Sequence, residues 1–323
     1  MKNLLYRNRN KTVHDLRILK TLKDRFNVQE IYSDKANAYL EYSKNQDLFL
    51  FGPLTDPWFS ENFKRNQKTI IGLSWGYDLI SEINDDQLLS TAEKNISYCS
   101  KIIVDSEISK NILIKKFGFK GEILNIPYGC DVKHFSALKK NKNVESNIAI
   151  LRNWSDIHNN EFILEAIKML TPNYEGTVNI AGEGTNKKNT IDKFMKNTPG
   201  VNTVVFNSNL VDYCKAISNS GIYVSASNID GTSITLLEAM SASLISIVPD
   251  IPTNQKWILN GINGFTYRAN EIVDLVSKIN LVLGLSEAAR AKITSEAFNT
   301  VNNYGNWITN QKQLINFVKN KTK

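Results

Sequence analysis

Three cysteines and three histidines are few for a chain of 323 residues, and their placement excludes several chemistries. Cys99, Cys130 and Cys214 stand far apart with no CxxC pair, so neither a disulfide framework nor a zinc ribbon is supported. His14, His134 and His158 never recur at helical i,i+4 spacing, and no two aspartates flank a single residue, so the DxD triplet that commonly carries a divalent cation is missing. No catalytic metal and no cofactor are expected. Apolar runs stay well below the ~18 residues of a spanning helix. The N-terminus, MKNLLYRNRNKTVHD, is basic with too short an apolar stretch for a secretory signal. A cytoplasmic protein is expected.

Positive charge, by contrast, is plentiful. The net charge is +7, and residues 2–25 alone hold eight Lys/Arg against two Asp. Such a balance suits an anionic membrane surface or anionic substrates, and an ordinary solvated basic face explains it equally well. Nucleic acid is not expected, because no zinc-finger, ribonucleoprotein or arginine-rich pattern is present.

Short β-rich apolar runs alternate with amphipathic helical stretches. The strand candidates are 3–7, 28–32, 47–52, 69–74, 101–105 and 122–127, then 147–151, 177–182, 202–206, 221–226 and 244–249. Continuous apolar strands separated by helices predict parallel sheets covered on both faces. The lysine-rich stretch SALKKNKNVES (136–146) breaks the rhythm and reads as a linker. The reading is an α/β protein of two doubly wound Rossmann-like domains. These are an N-terminal domain over 1–137, a linker over 138–146, a C-terminal domain over 147–303, and a terminal helix over 304–323 packing back on the first domain. Ligands of such domains sit outside the carboxyl ends of the strands.

The stretch SNIDGTSITLLEAMSAS (227–243) places a Gly-Thr-Ser turn before an apolar helix with one carboxylate, Glu238, in its middle. Free N–H groups and the positive dipole end make that helix start an anion site. At 100° per residue, Leu236 and Met240 point away from Glu238, which shares its side with Ile234, Thr235, Ser241 and Ala242. A carboxylate on such a face accepts two hydrogen bonds from a diol, as acidic side chains do from ribose. An exposed surface glutamate fits the helix alone as well.

Neighbouring motifs extend the pattern. Asp230 precedes Glu238 by eight positions, and VPDIPTNQKWILNGINGF (248–265) follows. Upstream lie CSKIIVDSEISKNIL (99–113), NIPYGCDVKHF (125–135) and VNIAGEGTN (178–186). In order and content, residues from about 70 to 310 resemble the retaining glycosyltransferases of family 4 type (glycosyl transferases group 1), with the GT-B fold. That resemblance implies two Rossmann-like domains facing a central cleft, with a helical C-terminus.

The resemblance also implies roles. In NIAILRNWSDIHNN (147–160), Arg152 matches the family's diphosphate-binding arginine, and His158 stands where a lysine is usual. Glu238 matches the glutamate that holds the nucleotide ribose. Asp230 replaces the glutamate that contacts the transferred sugar. Gly231, Thr232 and Ser233 would cradle the diphosphate, Gly182 and Gly184 would let the donor approach the backbone, and Asn207, Ser208 and Asn209 fall in the loop that touches the base. The first domain matches less well, and NRNKTVHDLR stands in place of the family's Gly-Gly loop. GLSWGYDLI (72–80) resembles its W-G-x-D segment, so His14, Asp15, Trp75, Tyr77 and Asp78 are the acceptor-side candidates.

The implied reaction is metal-independent, retaining transfer of a sugar from a nucleotide-diphosphate sugar, UDP-linked first and GDP-linked second. The acceptor would be a hydroxyl of a glycan or lipid-linked glycan in bacterial cell-surface polysaccharide synthesis. SEISKNILIKKFGFK (106–120) sets Ile108, Ile112, Leu113 and Phe117 against Lys110, Lys115, Lys116 and Lys120, which suits either packing on a sheet or resting peripherally on the inner face of an anionic membrane. A GT-B sugar-nucleotide epimerase, or a non-catalytic sugar-nucleotide-binding partner of another transferase, are the alternatives.

Overall fold

The apolar runs become two six-stranded sheets. A computed structural model describes residues 1–8, 13–31, 46–62 and 69–320. Contacts divide the chain into one unit of Met1–Tyr128, Asp230–Thr232 and Trp307–Lys323, and a second of Gly129–Ile229 and Ser233–Asn306. Residues 129–137, read from the sequence as part of the first domain, therefore group with the second unit.

In the first unit the strands are β1 (Asn3–Asn8), β2 (Asn27–Ile31), β3 (Leu48–Gly52), β4 (Thr69–Leu73), β5 (Lys101–Val104) and β6 (Glu122–Asn125), ordered β2-β1-β3-β4-β5-β6. Every pairing is parallel. All five residues of β3 are buried, as a central strand covered on both faces requires. The Phe51 ring on this strand stacks on that of Phe59, with centroids 3.8 Å apart. Fully burying each Leu, Ile or Phe of this layer is worth about 1.5–3 kcal/mol. The helix Trp307–Lys319 belongs to this unit and is tied to it by the buried Lys101 ammonium, which donates to the carbonyls of Phe317 at 3.1 Å and Asn320 at 2.9 Å. A cation at a helix C-terminus also opposes its dipole favourably.

In the second unit the strands are β7 (Ile148–Ile150), β8 (Thr177–Ile180), β9 (Asn202–Val205), β10 (Ile222–Val224), β11 (Ile245–Pro249) and β12 (Phe265–Tyr267). Their order is β12-β11-β10-β7-β8-β9, again parallel throughout. The strand order reverses between β7 and β10, and that crevice is where an open α/β sheet receives ligands. β12 was not anticipated from the sequence; its three residues follow a Gly-Ile-Asn-Gly turn and are too few to show a period.

Among the described residues no helix is long and apolar enough to cross a membrane. The helix Glu107–Lys115 buries Leu113 completely, and Ile112 and Phe117 pack on the same core. The fold thus uses most of the apolar stripe read in 106–120.

Candidate functional site

At the reversal point of the second sheet, the chain leaving β7 brings Arg152 to the start of the helix Ile234–Ser241. Arg152 Nη1 donates to the Ser233 Oγ at 3.0 Å, and that oxygen also caps the helix by accepting from the Leu236 N–H at 3.4 Å. Asn160 Nδ2 donates to the carbonyls of Arg152 and Asn153, both at 3.1 Å, and so fixes the loop that carries the guanidinium.

His158 completes the group. Arg152 Nη2 lies 3.2 Å and 3.3 Å from the two ring nitrogens, and Nδ1 is 3.0 Å from the Ser227 Oγ. Burial, with the Arg152 charge second, pushes the imidazole down to about 3. His158 is therefore neutral at physiological pH. It orients Arg152 without adding the positive charge that a lysine would bring.

Gly182 and Gly184 close the β7 side. Their φ values are +86° and +157°, and a Cβ on Gly182 would stand 2.3 Å from the Arg152 carbonyl oxygen, one on Gly184 2.2 Å from that of Trp154. The loops after β7 and β8 press together only because side chains are missing there. Next to them, Lys187 Nζ donates to the Gly182 carbonyl at 2.8 Å and the Phe206 carbonyl at 3.2 Å, and Ser208 Oγ donates to Gly182 at 3.0 Å.

Asn207 and Asn209 have local partners. Each donates through Nδ2 to Asp212 Oδ2, at 2.8 Å and 3.1 Å, and Asn209 caps the helix Leu210–Ser218 by accepting from the Asp212 N–H at 2.9 Å. Their polarity is explained by capping. Glu238 is only 7% exposed, and Oε2 accepts from the Tyr213 hydroxyl at 2.7 Å. Burial first and Glu238 second hold that phenol well above its ordinary value, so it remains a donor.

The first unit holds the other candidates. The backbone N–H of Thr232 donates to Asp105 Oδ2 at 2.6 Å, and its hydroxyl donates to the Asp105 carbonyl at 2.8 Å. Thr232 was read from the sequence as offering its amide to a diphosphate; here a buried carboxylate takes it. Burial, partly offset by the bonds from the Thr232 N–H and the Ser109 and Ser106 hydroxyls, raises the Asp105 carboxyl above its ordinary value. Gly231 is buried and Asp230 half-buried in the same segment.

Asp15 is buried and accepts from the Tyr6 hydroxyl at 2.6 Å. Asp78, also buried, accepts from the Leu54 N–H at 2.9 Å and the Ser74 hydroxyl at 2.7 Å, and desolvation pushes it up to about 7. Trp75 packs against Tyr128 with ring centroids 5.0 Å apart. Tyr77 is 38% exposed, more than Asp15, Trp75 or Asp78. The His14 side chain lies outside the described residues.

Sequence reasoning missed Asp105, Tyr213, Lys187, Ser227 and Asn160. Asn160, eight residues past Arg152, lies in the same loop-and-helix stretch and was the nearest to being read. The others meet their partners only through the fold.

The family model for glycosyl transferases group 1 matches residues 134–300, just over half of the chain. The chain belongs to that family. It is a glycosyltransferase, and its two parallel six-stranded sheets with flanking helices are those of the GT-B fold. Anabaena HepE, solved in complex with UDP and glucose, superposes with a TM-score of 0.80 at 13% identity, covering 98% of this chain and 99% of that one. Sucrose-phosphate synthase of Thermosynechococcus elongatus gives 0.79 at 13% identity, with 98% of each chain covered. A UDP-bound S. aureus TarM variant gives 0.70 at 14%, over 95% of this chain and 59% of that one. At such identities these likenesses concern the fold alone. No curated protein sequence matches the chain.

Proposed function

We propose that this glycosyltransferase moves a hexosyl group from a nucleotide-diphosphate sugar to a hydroxyl of a glycan or lipid-linked glycan, with retention and without a metal ion. The observation that carries the reading is the Arg152–Ser233 hydrogen bond at 3.0 Å, which sets a permanent cation at a helix N-terminus in the reversal crevice. The guanidinium binds phosphate oxygens as a fork. HepE and TarM structures contain UDP, which supports a UDP-sugar as the first donor to try and a GDP-sugar as the second.

Charge develops on the departing diphosphate, so catalysis rests on preorganised positive groups aimed at it. Arg152 and the helix start at Ser233 supply them, with His158 keeping the guanidinium in place. Glu238, held by Tyr213, takes the ribose diol, and Asp230 contacts the transferred sugar. The departing phosphate takes the acceptor proton in a front-face displacement. On the acceptor side we assign Tyr77, on the strength of its exposure. Asp15 and Asp78 hold the backbone and side chains around them.

The work is cytoplasmic, and cell-surface polysaccharide is the acceptor class favoured. The exposed Lys115, Lys116 and Lys120 would meet an anionic membrane by charge rather than by an inserted apolar face. Flotation with anionic vesicles at low salt tests that contact, and failure to float removes it. Nucleotide release from UDP-, GDP- and ADP-sugars, with and without glycan acceptors and with EDTA, tests the activity. Release abolished by EDTA contradicts metal independence, and an inverted anomeric signal in the product contradicts retention.

A further inference from the structure

We propose that Lys187 selects the base of the nucleotide donor, favouring a base that presents a ring carbonyl. The inference rests on the nucleotide-donor reading above and deepens it.

The strand order gives the direction in which a donor must lie. Arg152, His158, Ser227 and Ser233 gather where the order reverses, between β7 and β10, and this is the phosphate end. Glu238 is held by Tyr213, whose helix, Leu210–Ser218, packs against β8. A nucleotide with its diphosphate at the reversal point and its ribose at Glu238 therefore runs from β7 toward β8 and β9. Neighbouring strands are about 4.8 Å apart, so the carboxyl ends of β8 and β9 lie within a nucleoside's length of the phosphates.

Lys187 stands there. Its ammonium has three N–H groups, of which two are given to the carbonyls of Gly182 and Phe206, the residues just after β8 and β9. Among the described residues the third has no hydrogen-bond partner, and the Glu183 carboxylate attracts the ammonium without accepting from it. Half-buried and fixed by two carbonyls, the amine is a charged donor aimed from a set position.

Its location is also unfavourable for the helix it begins. Lys187 and Lys188 open the helix Lys187–Asn197, whose first turn contains no acid. Cations at a helix N-terminus oppose the dipole. Stability of the helix alone would favour an acid at that place.

A donor N–H in this position finds an acceptor on uracil or guanine, whose exposed edges include ring carbonyls. Adenine carries an exocyclic amine in place of that carbonyl, so the ammonium meets a donor there, and adenine's own acceptors are ring nitrogens set at other positions. A site built around a hydrogen bond rejects the analogue that cannot make it more strongly than a site that only fills space.

Calorimetric titration of UDP, GDP, ADP and inorganic pyrophosphate into the wild type, Lys187→Met and Lys187→Arg tests the assignment. The wild type should bind UDP or GDP roughly tenfold or more tightly than ADP, the scale of one charge-assisted hydrogen bond. Lys187→Met should bring the three nucleotides together while leaving pyrophosphate affinity unchanged, and Lys187→Arg should restore part of the preference. Equal binding of ADP by the wild type, or a preference that survives in Lys187→Met, overturns the assignment alone. Pyrophosphate affinity lost together with the preference would make Lys187 a general support of the loops and also overturns it. A wild type that binds none of the three nucleotides removes the donor reading and this inference with it.

Discussion

Tyr213 donates its hydroxyl to Oε2 of Glu238 at 2.7 Å, across 25 residues of sequence. The carboxylate is thereby held before any ligand arrives, and because its two oxygens are rigidly joined, fixing one orients the other. Tyr213→Phe keeps the ring and its packing but releases that oxygen. Donor affinity should fall by about 0.5–1.5 kcal/mol in this variant, and by about 1–3 kcal/mol in Glu238→Ala, both read by UDP titration. Equal losses in the two variants would mean that Tyr213 is more than a support.

His158 and Asp78 make stability depend on pH with opposite signs. His158 is pushed down from 6.5 to about 3, so below pH 6.5 the unfolded chain takes up a proton that the folded chain refuses. Its contribution is present above 6.5 and is lost as pH falls toward 3. Asp78 is raised from 3.8 to about 7, so the folded chain keeps a proton that the unfolded chain has released. That contribution is full below 3.8 and is lost as pH rises through 7. Urea midpoints measured between these limits should rise with pH in Asp78→Asn relative to wild type, and fall with pH in His158→Gln.

Gly182→Ala should be among the most disruptive single changes near the site. Its Cβ would stand 2.3 Å from the Arg152 carbonyl oxygen, at a φ of +86° that side chains disfavour. Strain of about 1–3 kcal/mol is the expected scale, read as a lower urea midpoint. Because the clash falls on Arg152 itself, UDP affinity should drop in the folded fraction as well.

The sheets were legible because buried parallel strands are continuous apolar runs, and eleven of the twelve observed strands fall on such runs. Phe265–Tyr267 was not, because three residues after a turn carry no period. Among the site candidates, Ser233 and Glu238 came from a helix start and a helix face and Arg152 from the family resemblance, and the structure brings Arg152 and Ser233 to 3.0 Å. Thr232 shows the limit: nothing near it in sequence indicates that Asp105, 127 residues away, takes its amide. The same holds for the Tyr213 hydroxyl and for the Phe206 carbonyl that Lys187 reaches, 19 residues away. Asn207 and Asn209 are the opposite case. Asp212 is within five residues of both, so their capping contact is local, although the sequence was read only as a loop that touches the base.

Calorimetric comparison of UDP with uridine in the wild type and in Arg152→Met tests the central claim most directly. Wild-type protein should bind UDP at least about tenfold more tightly than uridine, since a charge-assisted contact to phosphate is worth about 1.5–3 kcal/mol. In Arg152→Met that ratio should collapse while uridine affinity holds. Equal affinity for UDP and uridine in the wild type, or a ratio untouched by losing the guanidinium, would contradict it.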